Sequence, residues 1–173
     1  MIILGLDPGT ATTGFGVIAI EDKDFRLLDY GCITTSKTHT LAERLNQISN
    51  DLQEIVDTWK PQAVAIEEIF FSKNIKTAMH VAHARGALMQ KLSSNGYKIH
   101  EYKPQQVKEA VCGYGKAEKI QVQKMVQLLL KMEHLPHPDD AADALAVAIC
   151  HANHARFNEL TEKNELLHLS SLQ

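Results

Sequence analysis

Apolar positions along this chain follow two rhythms, one suited to strands and one to helices, and the change from one to the other marks out the elements. Residues 2–7 (IILGLD) form a short, nearly unbroken apolar run ended by Pro8-Gly9, which predicts a buried strand entering a tight turn. GFGVIAIE and FRLLDYGCITT are rich in β-formers and are separated by the polar EDKD, so the first three strands should make an antiparallel meander. The period then becomes helical: Leu41, Leu45, Ile48, Leu52, Ile55 and Trp59 share one face, with Thr40 and Glu43 as a capping box and Pro61 as the stop. Residues 63–67 (AVAIE) read as a further strand. A second helix is predicted from about Ile75 to Ser93, with Gly86 allowing close packing inside it and Asn95-Gly96 ending it, followed by a fifth strand in YKIHEY. A Pro104-initiated helix, a Gly113-Tyr114-Gly115 turn, a helix over Ala117 to Met132, and a last helix from near Asp139 to about Phe157 complete the pattern.

Three antiparallel strands followed by alternating helix and strand imply an α/β fold, a mixed five-stranded sheet with helices on both faces. The chain's 173 residues suit one domain, taken as residues 1–157, with 158–173 a flexible or short helical tail. No apolar run is long enough to span a membrane and the N-terminus lacks a basic signal region, so the expected location is cytoplasmic. Cys32, Cys112 and Cys150 are scattered and without CxxC spacing, which fits reduced, mostly buried thiols. The nine histidines, among them the pairs His80/His83, His134/His137 and His151/His154, show no metal-binding spacing, and most read as surface residues.

Net charge is −3, but the charges are segregated. Residues 72–132 carry ten lysines and Arg85 against Glu101, Glu109 and Glu118, an excess of eight positive charges, while the rest of the chain is strongly acidic. A basic middle third is what a localised phosphate-binding face requires.

Four carboxylates sharpen that picture. Asp7 ends IILGLD, Glu67 ends AVAIE, and Asp140 and Asp143 stand at i and i+3 in DDAADALAVAI, on one face of a helix's first turn. From Ala141 to Cys150 everything except Asp143 is apolar, so this helix belongs in the core. A lone ionised acid in such settings loses several kcal/mol of solvation unless a positive charge compensates. No Lys or Arg adjoins them in sequence, which points to a divalent metal. Oxygen ligands suit magnesium or manganese, and two such ions can activate a water and stabilise the leaving oxygen of a phosphodiester. Glu67 and Glu68 must face opposite sides of the strand, and spacing alone does not say which joins the site. Asp139 is the expected N-cap, with an exchange of roles between Asp139 and Asp140 left open.

GLDPGTATTGFGVI, AIEEIFFSKN, QVKEAVCGYGKAEKIQVQKMV and DDAADALAVAI, in this order over residues 1 to about 155, resemble the RuvC family of Holliday-junction resolvases. The resemblance implies an RNase H-like nuclease domain, a homodimer, and Mg²⁺-dependent cuts placed symmetrically in two strands of a four-way DNA junction, with two Mg²⁺ per site and Mn²⁺ as a substitute. It implies the RuvA-RuvB branch-migration complex as a further partner. It carries the catalytic, metal-binding acids onto Asp7, Glu67, Asp140 and Asp143, and basic residues near the scissile phosphate onto Lys108 and Lys119. Phe70 matches the family's base-stacking aromatic, and Phe71 is assigned to the core beneath that loop. Lys73, Lys76, Arg85, Lys103 and Lys116 are candidates for DNA backbone contacts, and free N–H groups at Gly113 and Gly115 for holding a phosphate at a helix start. The second helix, with His80, His83, Gly86 and Met89, is the expected dimer interface. Two other readings exist, a catalytically inactive junction-binding protein of the same fold and an actin-like nucleotide-binding domain. The retention of all four acids disfavours the first, and the single phosphate turn disfavours the second.

Overall fold

A computed structural model describes residues 1–22, 24–69 and 75–170, with side chains at 75–77 and 157–170 outside the description. Five strands, β1 (Ile2–Asp7), β2 (Thr12–Glu21), β3 (Asp24–Thr34), β4 (Ala63–Glu67) and β5 (Ile99–Tyr102), form one sheet in the order β3-β2-β1-β4-β5. β1, β2 and β3 pair antiparallel, and β4 and β5 add in parallel. The helices are α1 (Leu41–Trp59), α2 (Ile75–Ser94), α3 (Pro104–Cys112), α4 (Lys119–Leu129) and α5 (Asp139–Ser170).

Alternation along the strands divides the core into two. Leu4 and Leu6 of β1 and Val64 and Ile66 of β4 point to one face, where Ile48, Leu52 and Val56 of α1 and Leu88 and Leu92 of α2 cover them. Ile3, Ala63 and Ala65 point to the other, against α3, α4 and α5. Burying each Leu or Ile contributes about 1.5–3 kcal/mol, so the central strand β1 is anchored from both sides. α1 starts and stops as predicted: Thr40 and Glu43 form the reciprocal capping box, and Lys60 takes the left-handed C-cap conformation before Pro61.

α5 lies unusually close to the sheet because its partner positions are glycines. A Cβ built on Gly14 would overlap the Asp140 carbonyl oxygen, one on Gly16 would stand 2.9 Å from the Leu145 Cα, and one on Gly5 would stand 2.6 Å from the Ala148 nitrogen. α5 itself presents Ala141, Ala144 and Ala148, all buried, so small side chains on both sides let the backbones meet.

Four expectations change. α4 is shorter than the predicted Ala117–Met132 at both ends. α5 does not stop at Phe157 but continues as one helix to Ser170. A Cβ on Gly86 would meet no atom within 4 Å, so its close packing does not occur among the described residues. Asp139 is the first residue of α5 rather than its N-cap; the Pro138 carbonyl accepts from the N–H groups of Ala141 and Ala142 instead.

Candidate active site

The sheet's parallel half brings the first two acids together. Leu6 pairs with Ile66, so Asp7 and Glu67 leave the ends of β1 and β4 side by side. Each continues the parity of the residues facing α5, Ile3 on β1 and Ala63 and Ala65 on β4. Glu68 has the opposite parity, and its backbone N–H donates to the Tyr102 carbonyl at 2.8 Å. Strand geometry therefore settles what spacing left open: Glu67 is the member of the cluster.

The close seat of α5 supplies the second pair. Gly14 is the residue paired with Asp7 across β1 and β2, and the Asp140 carbonyl rests over it. Asp140 and Asp143 thus enter beside Asp7 and Glu67. Their proximity shows in proton affinity. Burial first, then the charges of Glu67, Asp143 and Asp140, push the Asp7 carboxyl up to about 8. Burial and Asp143 push Glu67 up to about 7, against the opposing pull of Lys108 and Lys119. Asp143 is raised by burial, with Lys119 working in the other direction.

Lys119, at the start of α4, forms an ion pair with one of these acids. Its Nζ lies 2.9 Å from Asp143 Oδ2 and 3.3 Å from Asp139 Oδ2. Burial works to lower its pKa, but hydrogen bonds and charge from Asp143 and Asp139 prevail and hold it firmly as an ammonium. Asp139 also accepts from Gln123 Nε2 at 2.9 Å, which ties it to α4 outside the acid cluster. This separates Asp139 from Asp140 on physical grounds. Glu67, Lys108, Lys119 and Asp143 line a cavity of about 170 Å³ floored by Val107 and Ala146.

Among the described residues no three His, Cys, Asp or Glu side chains stand in a ready metal-ligand arrangement. The donor set still fits one class of ion. It consists wholly of carboxylate oxygens, the ligands of hard divalent cations, and the mutual repulsion raising Asp7 and Glu67 is what such a cation relieves.

The other predicted positions scatter. Phe70, Phe71 and Lys73 lie outside the described residues, as does the side chain of Lys76. Arg85 is mostly buried in an ion pair with Glu101 rather than displayed to solvent. Lys103, at the N-cap of α3, and Lys116 are exposed. The Gly113-Tyr114-Gly115 turn does not open a helix, since α4 begins at Lys119, and the Gly113 N–H is already spent on the Glu109 carbonyl at 2.9 Å. Gly115 packs on α3, where a Cβ would overlap the Gln105 side chain.

Sequence reasoning missed Gly14 and Cys32. Both lie in one row with Asp7, since Gly14 pairs with Asp7 on one side and Cys32 on the other. The Cys32 thiol is pushed up by burial and by the Asp140 charge. A glycine inside the β-rich run GFGVIAIE was the available signal for Gly14, because such a glycine marks a close backbone approach; nothing in the sequence singled out Cys32.

A sequence model of the family described as Crossover junction endodeoxyribonuclease RuvC matches residues 3–151. The chain belongs to the RuvC family. A RuvC of Alkaliphilus oremlandii is 51% identical over 160 residues, covering 92% of this chain and 98% of that protein. A RuvC of Clostridioides difficile is 48% identical over 164 residues, covering 95% and 96%. The structure of Thermus thermophilus RuvC in complex with a Holliday junction substrate superimposes with a TM-score of 0.86 at 36% identity, over 91% of this chain and 96% of that one. The yeast mitochondrial Holliday junction resolvase Ydc2, at 13% identity and a TM-score of 0.66 over 93% and 83%, shares the fold alone. The mixed sheet with helices on both faces is thus the RNase H-like arrangement of the RuvC resolvases.

Proposed function

We propose that this RuvC-family protein is a crossover junction endodeoxyribonuclease that resolves four-way DNA junctions during recombination and repair, by metal-dependent hydrolysis of one phosphodiester in each of two strands. The observation that carries the reading is the meeting of Asp7, Glu67, Asp140 and Asp143 from β1, β4 and α5, beside the cavity lined by Lys108 and Lys119. Mg²⁺ is the ion this oxygen set suits, with Mn²⁺ able to replace it, and when bound it supplies a polarised water and a positive counterweight to the leaving oxygen. Asp7 and Glu67, fixed by adjacent strand ends, and Asp140 and Asp143 at the start of α5 would hold it, with two ions to a site.

The chain's own residues do the rest. Lys119, kept protonated by Asp143 and Asp139, can exchange an acid for a non-bridging oxygen of the scissile phosphate. Lys108 faces the same cavity from α3 and offers a second positive charge beside Glu67. The exposed Lys103 and Lys116 suit contacts to flanking phosphates. Phe70 is proposed to stack on a base at the branch point on the strength of its sequence position. Two symmetric cuts call for two sites, and α2 supports a homodimer: Met79 is 52% exposed and Gly86 is open on that helix. A cytoplasmic location beside the chromosome and a hand-over from a branch-migration complex such as RuvA-RuvB belong to the same reading. None of the described helices is long and apolar enough to cross a membrane.

The deciding experiment incubates the protein with Mg²⁺ and a synthetic mobile four-way junction. The expected result is paired nicks in two strands of like polarity, and Asp7→Asn should bind the junction without cutting it. Cleavage that survives Asp7→Asn removes Asp7 from the mechanism, and a junction left intact by the unaltered protein removes the reading.

A further inference from the structure

The acids stand between two cavities, and the nuclease chemistry uses only the one lined by Lys108 and Lys119. On the other side of Asp140 lies a larger groove of about 460 Å³, formed by residues 9–12 of the β1–β2 turn, Lys37, Arg44 and His80. Its size falls in the range of roughly 300–1,000 Å³ typical of small-ligand clefts. Its cations come from the β3–α1 connection and α1, outside the basic stretch of residues 72–132 that marked the DNA-binding face in the sequence.

The groove is built rather than incidental. Thr35 knits its two walls together: the Thr35 N–H donates to the Ala11 carbonyl at 3.1 Å, and the Thr35 hydroxyl donates to the Thr10 carbonyl at 2.5 Å. The same hydroxyl accepts from Arg44 Nε at 2.7 Å. With Nε held there, the two terminal nitrogens of the guanidinium remain for a ligand, in the fork that matches phosphate oxygens. The neighbouring Glu43 is turned onto the helix cap, accepting from the N–H and hydroxyl of Thr40, so it leaves that fork free. Among the described residues neither Lys37 nor Arg44 has an acidic ion-pair partner. Among the described residues the lining has no aromatic ring but His80 on which a base could stack; beside Val81 and the Asp140 carboxylate at its edge it offers cations, threonines and turn backbone. That chemistry selects the sugar-phosphate backbone over the bases.

We infer that this groove is a second phosphate subsite, in which Lys37 and Arg44 grip the backbone of the strand being cut on the side of the acids away from Lys108 and Lys119. The inference rests on the nuclease reading and adds to it a direction: the strand crosses the acid cluster from one pair of cations to the other. Lys37 and Arg44 are positioning residues, acting on a phosphate next to the one that reacts.

The test measures binding of a labelled four-way junction over a series of KCl concentrations for the unaltered protein, Lys37→Glu, Arg44→Gln and a control, Lys98→Glu. Lys37 and Lys98 are both exposed; Lys98 belongs to the basic stretch of residues 72–132 by sequence, but it precedes β5 at the opposite end of the sheet from the acids, away from a strand that crosses them. Losing one phosphate contact should lower the slope of log affinity against log salt by about 1. Lys37→Glu and Arg44→Gln should each show that loss and weaken binding several-fold, while Lys98→Glu leaves the slope unchanged. In a second arm, methylphosphonate linkages replace single phosphates flanking the cut site. At one flanking position the neutral linkage should weaken binding by the unaltered protein and cost Lys37→Glu nothing further. Equal slopes for Lys37→Glu and Lys98→Glu, or additive losses at every position, overturn the subsite. Because Arg44 also holds Thr35, its variant counts only through the slope and a matched melting curve, whereas Lys37→Glu decides the question alone. A junction that the unaltered protein neither binds nor cuts takes down the nuclease reading and the subsite together; cutting with an unchanged Lys37→Glu slope takes down the subsite only.

Discussion

At the scale of single residues, the acids are a cost to the folded protein when no cation is present. Asp7 titrates at about 8 in the fold against 3.8 for an ordinary carboxyl. Between those values the unfolded chain has released a proton that the folded chain retains, so stability falls as pH rises from about 4 to about 8. Asp7→Asn should therefore raise the stability of the metal-free protein at pH 8, on the order of a few kcal/mol, while abolishing cleavage. Urea melts with EDTA and nicking assays with Mg²⁺ measure the two effects, and a destabilised Asp7→Asn would contradict the burial and repulsion that raise Asp7. Lys119→Ala should slow the single-turnover rate about 100-fold, the usual cost of losing one donor to a developing negative charge, with little change in melting. The neighbouring glutamates give a contrast: Glu67→Gln should abolish cutting, whereas Glu68→Gln, on the opposite face of the strand, should cut at close to the normal rate in the same assay.

Sequence alone brought out the four acids because each ends or interrupts an apolar segment, but two assignments rested there on the family resemblance and gain a physical ground only from coordinates. Glu67 separates from Glu68 only once β4 is paired with β1 and the face occupied by α5 is known. Asp139 separates from Asp140 only once Lys119 and Gln123 of α4 are seen to hold it.

At the scale of elements, the decisive contact is α5 on the glycines of β1 and β2. Gly14→Ala places a methyl group against the Asp140 carbonyl, and neither backbone can yield without lifting the first turn of α5. Overpacking of this kind costs about 1–3 kcal/mol, and the displacement falls directly on Asp140 and Asp143. Gly14→Ala should thus lose far more cleavage than its lowered melting temperature explains, measured at a temperature where the variant stays fully folded; a rate that tracks stability alone would show that α5 tolerates the shift. Strand and helix rhythms made nearly every element legible, since hydrophobic period is a local property. This contact was not, because residues 14 and 140 are brought together only by the finished fold. The end of α5 escaped for a related reason: the apolar period that signals a helix fades after Phe157, yet the helical backbone continues to Ser170.

At the scale of the whole molecule, a second set of ionisable groups lies away from the acids, where β5 meets α5. The Tyr102 hydroxyl and His151 Nδ1 are 2.8 Å apart, and the His100 and His151 rings lie 4.3 Å apart at a tilt of 37°. Most histidines read as surface residues from the sequence, but His151 is only 6% exposed. Burial, then the charges of His100 and His154, push its pKa down to about 4 from 6.5. The unfolded chain takes up a proton below about 6.5 that the folded chain refuses, so this contribution is full above that pH and is lost as pH falls toward 4. Denaturant melts at pH 7 and pH 4.5 should show His151→Gln losing less stability on acidification than the unaltered protein, by about 1–2 kcal/mol once solvent screening is allowed for. Parallel acid curves would place His151 outside the pH response.

The candidate acids are shared among the first strand, the fourth and the last helix, with β1 lying at the centre of the sheet. No fragment of the chain that lacks α5 holds Asp140 or Asp143. On the proposed mechanism, a nascent chain that has emerged only as far as β5 holds Asp7 and Glu67 without the other two acids, so the cluster assembles only once α5 has been made.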